Sequence, residues 1–265
     1  MTAATPEDGQ IVVRADGPIL LMKIDRPRKR NGFTPKMFAE LSLAIARLEA
    51  DDNLLCGVIH AEGEHFTAGL DLPKFAPMME RGESPIPPGG KDPCDLEPPF
   101  RTKPIVAAVR GICYTLGIEM MLACDIVVAA SDCRFAQIEV RRGIMPTGGA
   151  TIRMIERAGW GNAMRYLLTA EEFDAATALR FGFVQDVVDA DDVLPRALAI
   201  AGQIAKQAPL AVRATRANAR LAVERGPDAA VADFTPAQTV LARTADAREG
   251  VQSFIERREP RFTGR

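Results

Sequence analysis

The sequence predicts an α/β fold that is strand-rich in its first half and helix-rich in its second. Three observations carry this expectation. Apolar runs of strand length alternate with helical spacing up to about residue 130. Beyond Gly148 almost every segment follows helical spacing. With 265 residues, 47% apolar and 26% charged, the chain has the balance of a globular protein with one large core, or a core with a small appendage.

In order, Met1–Gln10 is polar, contains no Arg and has no apolar stretch, so it reads as a floppy start rather than a targeting peptide. The runs Ile11–Val13 and Ile19–Ile24, separated by Asp16-Gly17-Pro18, predict a hairpin. Pro35–Ala50 places Met37, Phe38, Leu41, Ile45 and Leu48 at helical spacing, with Thr34 as N-cap and Pro35 at the first helical position. Leu55–His60, Ile105–Val109 and Asp125–Ala130 read as buried strands, the last two flanking a helix at Gly117–Ala123. Strands separated by helices imply parallel pairing with crossovers. Helices are then expected at Gly149–Ala158, Asn162–Leu168, Asp174–Arg180, Asp192–Lys206, Pro209–Glu224, Asp228–Ala242 and Ala245–Arg257, with one brief strand at Val184–Val188. Lys74–Lys103 holds seven prolines and, beyond a helical turn near Phe75–Glu80, has no regular pattern. A loop that long is either a lid or pocket wall, or a plain solvent loop.

Composition excludes several classes. A net charge of −2 leaves no global basic field for nucleic acid or an anionic membrane, and no apolar run reaches the length of a membrane span. Cys56, Cys94, Cys113, Cys124 and Cys133 are odd in number with no Cys-x-x-Cys pair, which reads as reduced thiols in a cytosol. His60 and His65 are the only histidines, so a metal would need carboxylates alone, and none is expected. There is no Gly-x-Ser-x-Gly for a serine hydrolase and no Gly-x-Gly-x-x-Gly after a strand for a nicotinamide enzyme; Pro88-Gly89-Gly90-Lys91 is not a phosphate loop.

Three segments could carry chemistry. His65–Leu72 follows a strand and contains small residues that admit close backbone approach. Val109–Glu119 runs from a strand into a helix whose first N–H groups are unpaired and point along the positive end of its dipole, which suits a developing negative oxygen. Glu119 interrupts the apolar run Met120–Ala123, where a carboxylate is costly unless exposed, paired or used. Phe135–Gly149 places Glu139 before a turn-rich stretch; a surface glutamate paired with Arg141 or Arg142 is the plain alternative.

Taken in order along one chain, these segments resemble the crotonase superfamily of enoyl-CoA hydratases and isomerases. The matching pieces are Ile24–Gly32, Phe66–Asp71, Lys103–Gly111, Ala123–Ile126, Phe135–Glu139 with Gly143–Pro146, Thr169-Ala170 through Phe181–Val184, and Glu249–Phe254. The similarity spans about residues 11–262.

The resemblance implies a crotonase-like spiral core of ββα-type turns over residues 1–200 and a C-terminal helical trimerisation region over 201–265. It implies an oxyanion hole made by the N–H groups of Leu70 and Leu116, with Glu119 handling water and Glu139 the Cα proton of an enoyl-CoA. Ala68, Asp71 and Leu72 are expected to bind substrate. Arg28 and Arg30, with Lys29, either meet coenzyme A phosphates or form a solvated surface run. Coenzyme A would enter as part of the substrate, with no resident cofactor. The expected assembly is a homotrimer, or a hexamer of two trimers, in the cytoplasm.

Hydration is the implied reaction; a double-bond isomerase and a non-catalytic acyl-CoA-binding paralogue are the alternatives. The sequence departs from the family at Thr115-Leu116, where consecutive glycines are usual. A leucine held at positive φ there would cost about 1–2 kcal/mol. The altered turn and the long proline-rich loop are the two features that set the acyl pocket apart.

Overall fold

The computed structural model describes residues 7–265. The polar start read at Met1–Gln10 lies outside the described residues up to position 6. Strands β1 (Gln10–Asp16) and β2 (Ile19–Asp25) pair antiparallel through a turn at Gly17, whose φ of 54° is one that glycine adopts without a Cβ penalty. From β2 the sheet continues parallel through β3 (Cys56–Ala61), β4 (Ile105–Val109), β6 (Ile126–Ala130) and β9 (Asp186–Val188). The register pairs Leu20 with Gly57, Val58 with Val106, Val106 with Ile126 and Val128 with Asp186.

A second sheet, absent from the sequence reading, joins β5 (Ile112–Tyr114), β7 (Arg134–Ala136) and β8 (Phe173–Asp174). Strands of two or three residues are too short to show alternation, so only tertiary pairing reveals them.

Helix α1 (Pro35–Ala50) begins as its sequence requires, with Thr34 Oγ1 accepting the Met37 N–H at 3.3 Å. Lys103 is fully buried and holds the end of this helix, its Nζ donating to Leu48 O at 2.8 Å and Asp51 O at 2.7 Å. Helix α2 (Leu72–Glu80) starts the proline-rich segment, and α3 (Leu116–Ala123) is buried along its whole length. Helices α4 (Ala150–Ala158), α5 (Trp160–Thr169) and α6 (Ala175–Arg180) follow. Helix α7 (Val193–Ala205) packs on β3, β4 and β6 through the small residues Ala197 and Ala201. Helices α8 (Pro209–Arg225), α9 (Pro227–Ala242) and α10 (Ala245–Glu256) bury few of their own side chains.

The rest of the proline-rich segment is not a free solvent loop. Lys91 exchanges two hydrogen bonds with Ser42 of α1, and the Asp92 carboxylate accepts the N–H groups of Cys94 and Leu96 at 2.8 Å each. Asp95, only 4% exposed, is the anchor: Oδ2 accepts Arg216 Nη2 at 2.9 Å and Arg220 Nη1 at 2.6 Å, and Oδ1 accepts the Arg101 N–H at 3.0 Å. The Arg220 guanidinium also lies 3.5 Å over the Phe100 ring. One carboxylate thus ties the loop to α8.

Candidate active site

The site is built where two chain segments run side by side. Phe66 N–H donates to Arg110 O and Thr67 N–H to Ile112 O, while Tyr114 N–H returns a bond to Thr67 O. This parallel bridge at Thr67 and Cys113 locks the first loop against β5, and each segment then enters a helix, α2 or α3. Phe33 bridges Leu70 by bonding Gly69 O and the Asp71 N–H, which leaves the N–H of Leu70 itself facing the other way. Leu116 is the first residue of α3, so its N–H has no intrahelical partner. Among the described residues neither N–H donates to a protein acceptor.

The loops touch closely. A Cβ on Gly69, whose φ is 98°, would overlap Thr115 Oγ1. The strained residue of the second loop is Thr115, at φ 51° and ψ −116°, and not Leu116. The penalty expected for Leu116 therefore falls one position earlier, because the chain makes its sharp reversal before the first helical residue rather than within the helix. Held in a region glycine prefers, Thr115 costs about 1–3 kcal/mol. Thr115→Gly should raise stability by about 1 kcal/mol after glycine's unfolded-state entropy is subtracted, read from the urea midpoint. A lower midpoint would mean that the Thr115 contact with Gly69 outweighs the strain.

A cavity of about 360 Å³ opens between these loops and the segment after β7. Ala68, Leu70, Asp71, Leu72, Leu116, Glu119 and Glu139 all line it, so the structure brings these sequence candidates together. Pro73 and Met79 of α2 form one wall, which makes the start of the proline-rich segment part of the pocket. Asp71 is held from behind by buried Arg26, whose Nη1 donates to Oδ2 at 2.8 Å. Arg28, Lys29 and Arg30 do not line the cavity. They are exposed on a short 3-10 turn whose last carbonyl, Arg30 O, accepts the Ala68 N–H at 2.9 Å.

The two glutamates sit in different surroundings. Glu119 is 5% exposed, and its Oε1 accepts the Gly148 N–H at 2.6 Å and the Ala150 N–H at 3.3 Å, at the N-terminus of α4. Burial raises its pKa, while those two hydrogen bonds, and Arg153 more distantly, pull it back down. Glu139 is 7% exposed and pairs with neither Arg141 nor Arg142, so the surface ion pair weighed above does not form. Its Oε2 is buried without a hydrogen-bond partner among the described residues. Burial, reinforced by the charge of Glu119, pushes its pKa up to about 7. Two nearby carboxyls thus differ in their donors: Glu119 accepts two N–H groups from the start of α4, whereas Glu139 has only its own backbone N–H to offset burial.

Thr115 also lines the cavity, and Arg142, Ile138, Ile144, Met145, Pro146 and Thr147, missed as site residues in the sequence, complete it. The short 3-10 turn Glu139–Arg142, which they flank or close, has no periodic signature. Among the described residues no group of three His, Cys, Asp or Glu side chains could hold a metal ion, and no helix is long and apolar enough to cross a membrane.

The family model described as enoyl-CoA hydratase/isomerase matches residues 14–265. The 2,3-dehydroadipyl-CoA hydratase of Escherichia coli is 31% identical over 256 residues, covering 97% of this chain and 99% of that protein. The short-chain-enoyl-CoA hydratase of Clostridium acetobutylicum is 31% identical over 96% of this chain and 97% of its own length. Among solved structures, a probable enoyl-CoA hydratase/isomerase from Mycobacterium abscessus superposes with a TM-score of 0.95 at 47% identity, covering 97% of this chain and 99% of that one. An enoyl-CoA hydratase from Mycobacterium tuberculosis gives 0.88 at 33% identity, over 97% and 99%.

Proposed function

Because the chain belongs to the enoyl-CoA hydratase/isomerase family, we propose that it adds water across the 2,3-double bond of an acyl-CoA thioester. It shares the fold of the solved enoyl-CoA hydratases, as the resemblance to the crotonase superfamily implied, and is an enzyme of the hydro-lyase kind. The observation that carries hydration over isomerisation is the presence of both Glu119 and Glu139 in one cavity, with burial raising the pKa of Glu139 the further.

In this reading the thioester oxygen lies against the N–H groups of Leu70 and Leu116. Water adds to C3, and the electron pair of the C2=C3 bond moves onto the thioester oxygen as an enolate. Glu119, whose burial-raised pKa is drawn back down by the Gly148 and Ala150 N–H groups, takes the water's proton. Glu139, protonated near neutrality, gives its proton to C2 as the carbonyl re-forms. The cycle closes when one proton passes from Glu119 to Glu139. No resident cofactor is required, since coenzyme A arrives with the substrate and its phosphates meet the exposed Arg28–Arg30 turn beside Ala68.

Glu119→Gln should lower the hydration rate of crotonyl-CoA by about 10²–10⁴-fold, followed by loss of thioester absorbance. An unchanged rate in Glu119→Gln, with Glu139→Gln inactive, would favour the isomerase. Thioester binding without turnover in the unaltered protein would favour the non-catalytic paralogue.

We also infer that residues 201–265 form the contacts of a trimer, or of a hexamer of two trimers, in the cytoplasm. Val223, Val231, Phe234, Val251, Phe254 and Ile255 expose apolar surface on α8, α9 and α10, and all five cysteines are free thiols.

A further inference from the structure

Arg142 closes the 3-10 turn that begins at Glu139. Such a turn has three residues per revolution, so side chains three apart eclipse one another, displaced by about 6 Å along the axis. Arg142 therefore leaves the backbone on the same face as Glu139, one revolution further along, and it lines the same cavity. Arg141 is committed elsewhere, donating from Nη2 to Ala170 O at 2.8 Å.

Arg142 is the single cation among the described residues of the cavity lining, and it makes no ion pair or hydrogen bond there. Of the other basic groups near these segments, Arg26 is taken by Asp71, Lys74 by Asp8 and Arg81 by Glu83, which leaves the exposed Arg28–Arg30 turn outside the lining. Glu139 is not its partner either, since burial and Glu119 govern that carboxyl. Arg142 is solvent-exposed at the edge of a lining that is otherwise largely apolar, with Ile138, Ile144, Met145 and Pro146 on its own segment and Met79 on α2. An unpaired guanidinium on such a wall matches an acyl chain that is greasy along its length and anionic at its tip.

Given the hydratase reading, which this inference presumes, we propose that Arg142 receives a terminal carboxylate on the acyl chain, making the preferred substrates enoyl thioesters of dicarboxylic acids. Coenzyme A phosphates are a poorer match. The basic turn Arg28–Arg30 abuts the cavity at Ala68, on the side of the first loop, whereas Arg142 stands beyond Glu139 on the facing segment. A planar guanidinium binds a carboxylate through two parallel N–H···O bonds. Filling the cavity with the acyl chain also displaces water and strengthens that pair.

The test compares a trans-2-enoyl-CoA bearing a terminal carboxylate with its methyl-ended counterpart of equal length. The unaltered enzyme should show a kcat/KM about tenfold or more higher for the carboxylate. Arg142→Leu should lower kcat/KM about 10- to 100-fold on the carboxylate substrate, the worth of a hydrogen bond to a charged group, and leave the methyl-ended substrate nearly unaffected. Arg142→Lys should recover part of the loss. Equal loss on both substrates, or no preference in the unaltered enzyme, would overturn the proposal.

Binding separates the proposal from the reaction assignment. If neither substrate turns over, affinities for the corresponding saturated thioesters should show the same carboxylate preference and the same dependence on Arg142. Weakened binding of coenzyme A alone by Arg142→Leu would assign the residue to the phosphates and overturn the proposal.

Discussion

Glu139→Gln is expected to abolish most of the activity and, at alkaline pH, to stabilise the protein. The activity loss should be about 10²–10⁴-fold, because the glutamine cannot exchange a proton with C2. The stability gain follows from the raised pKa, about 7 in the folded chain against an ordinary value of 4.5. Between those two pH values the folded state holds a proton that the unfolded state has released. Stability from this group is therefore complete below about pH 4.5 and is lost as pH rises through 7. The loss amounts to up to about 3 kcal/mol. A glutamine is neutral at every pH and suffers none of it. Thermal unfolding of the two proteins should coincide near pH 4 and separate by roughly 5–10 °C at pH 8, with the glutamine variant higher. Parallel pH profiles would mean that Glu139 ionises freely, and the acid role assigned to it would fall.

Asp95→Ala should be the most damaging change outside the catalytic pair. Its buried carboxylate accepts from Arg216 and Arg220, with Arg101 Nε at 3.7 Å, and it also takes the Arg101 N–H. Arg101 and Arg216 keep Asp125 as a partner, and Arg220 keeps Glu224, but all three lose the charge at which they converge. Removing one member of a buried ion network costs about 3–5 kcal/mol. Since Asp95 fastens the proline-rich segment to α8, limited proteolysis should cut the variant between residues 81 and 103, where the unaltered chain resists. If the urea midpoint moved by less than the equivalent of about 1 kcal/mol, α8 would not depend on this node.

Much of the fold was legible because long apolar periodicities dominate it. Helix α1 matches the expected Pro35–Ala50 with its Thr34 cap, and β4 matches Ile105–Val109, since caps and buried runs are local properties. The later helices agree to within a few residues. The second sheet was not legible, because β5, β7 and β8 are too short to carry a pattern and exist only through pairing with one another. The proline-rich segment also escaped: prolines announce the absence of regular structure, but say nothing of the arginines on α8 that hold Asp95.

For the site, the order of motifs along the chain placed Leu70, Leu116, Glu119 and Glu139, and all four line one cavity. Arg28 and Arg30 read equally as ligand or surface in one dimension, and the fold leaves them outside the lining. The sequence by itself determined the strand-then-helix order, the family and the two carboxylates, because these depend on residue type and spacing. Only the tertiary structure decided which carboxyl burial makes the weaker acid, where the second loop is strained and which arginine lines the cavity. Those depend on burial and on N–H donors brought from the start of α4, which join residues far apart in the chain, and on the phase of one short turn that no periodicity announces.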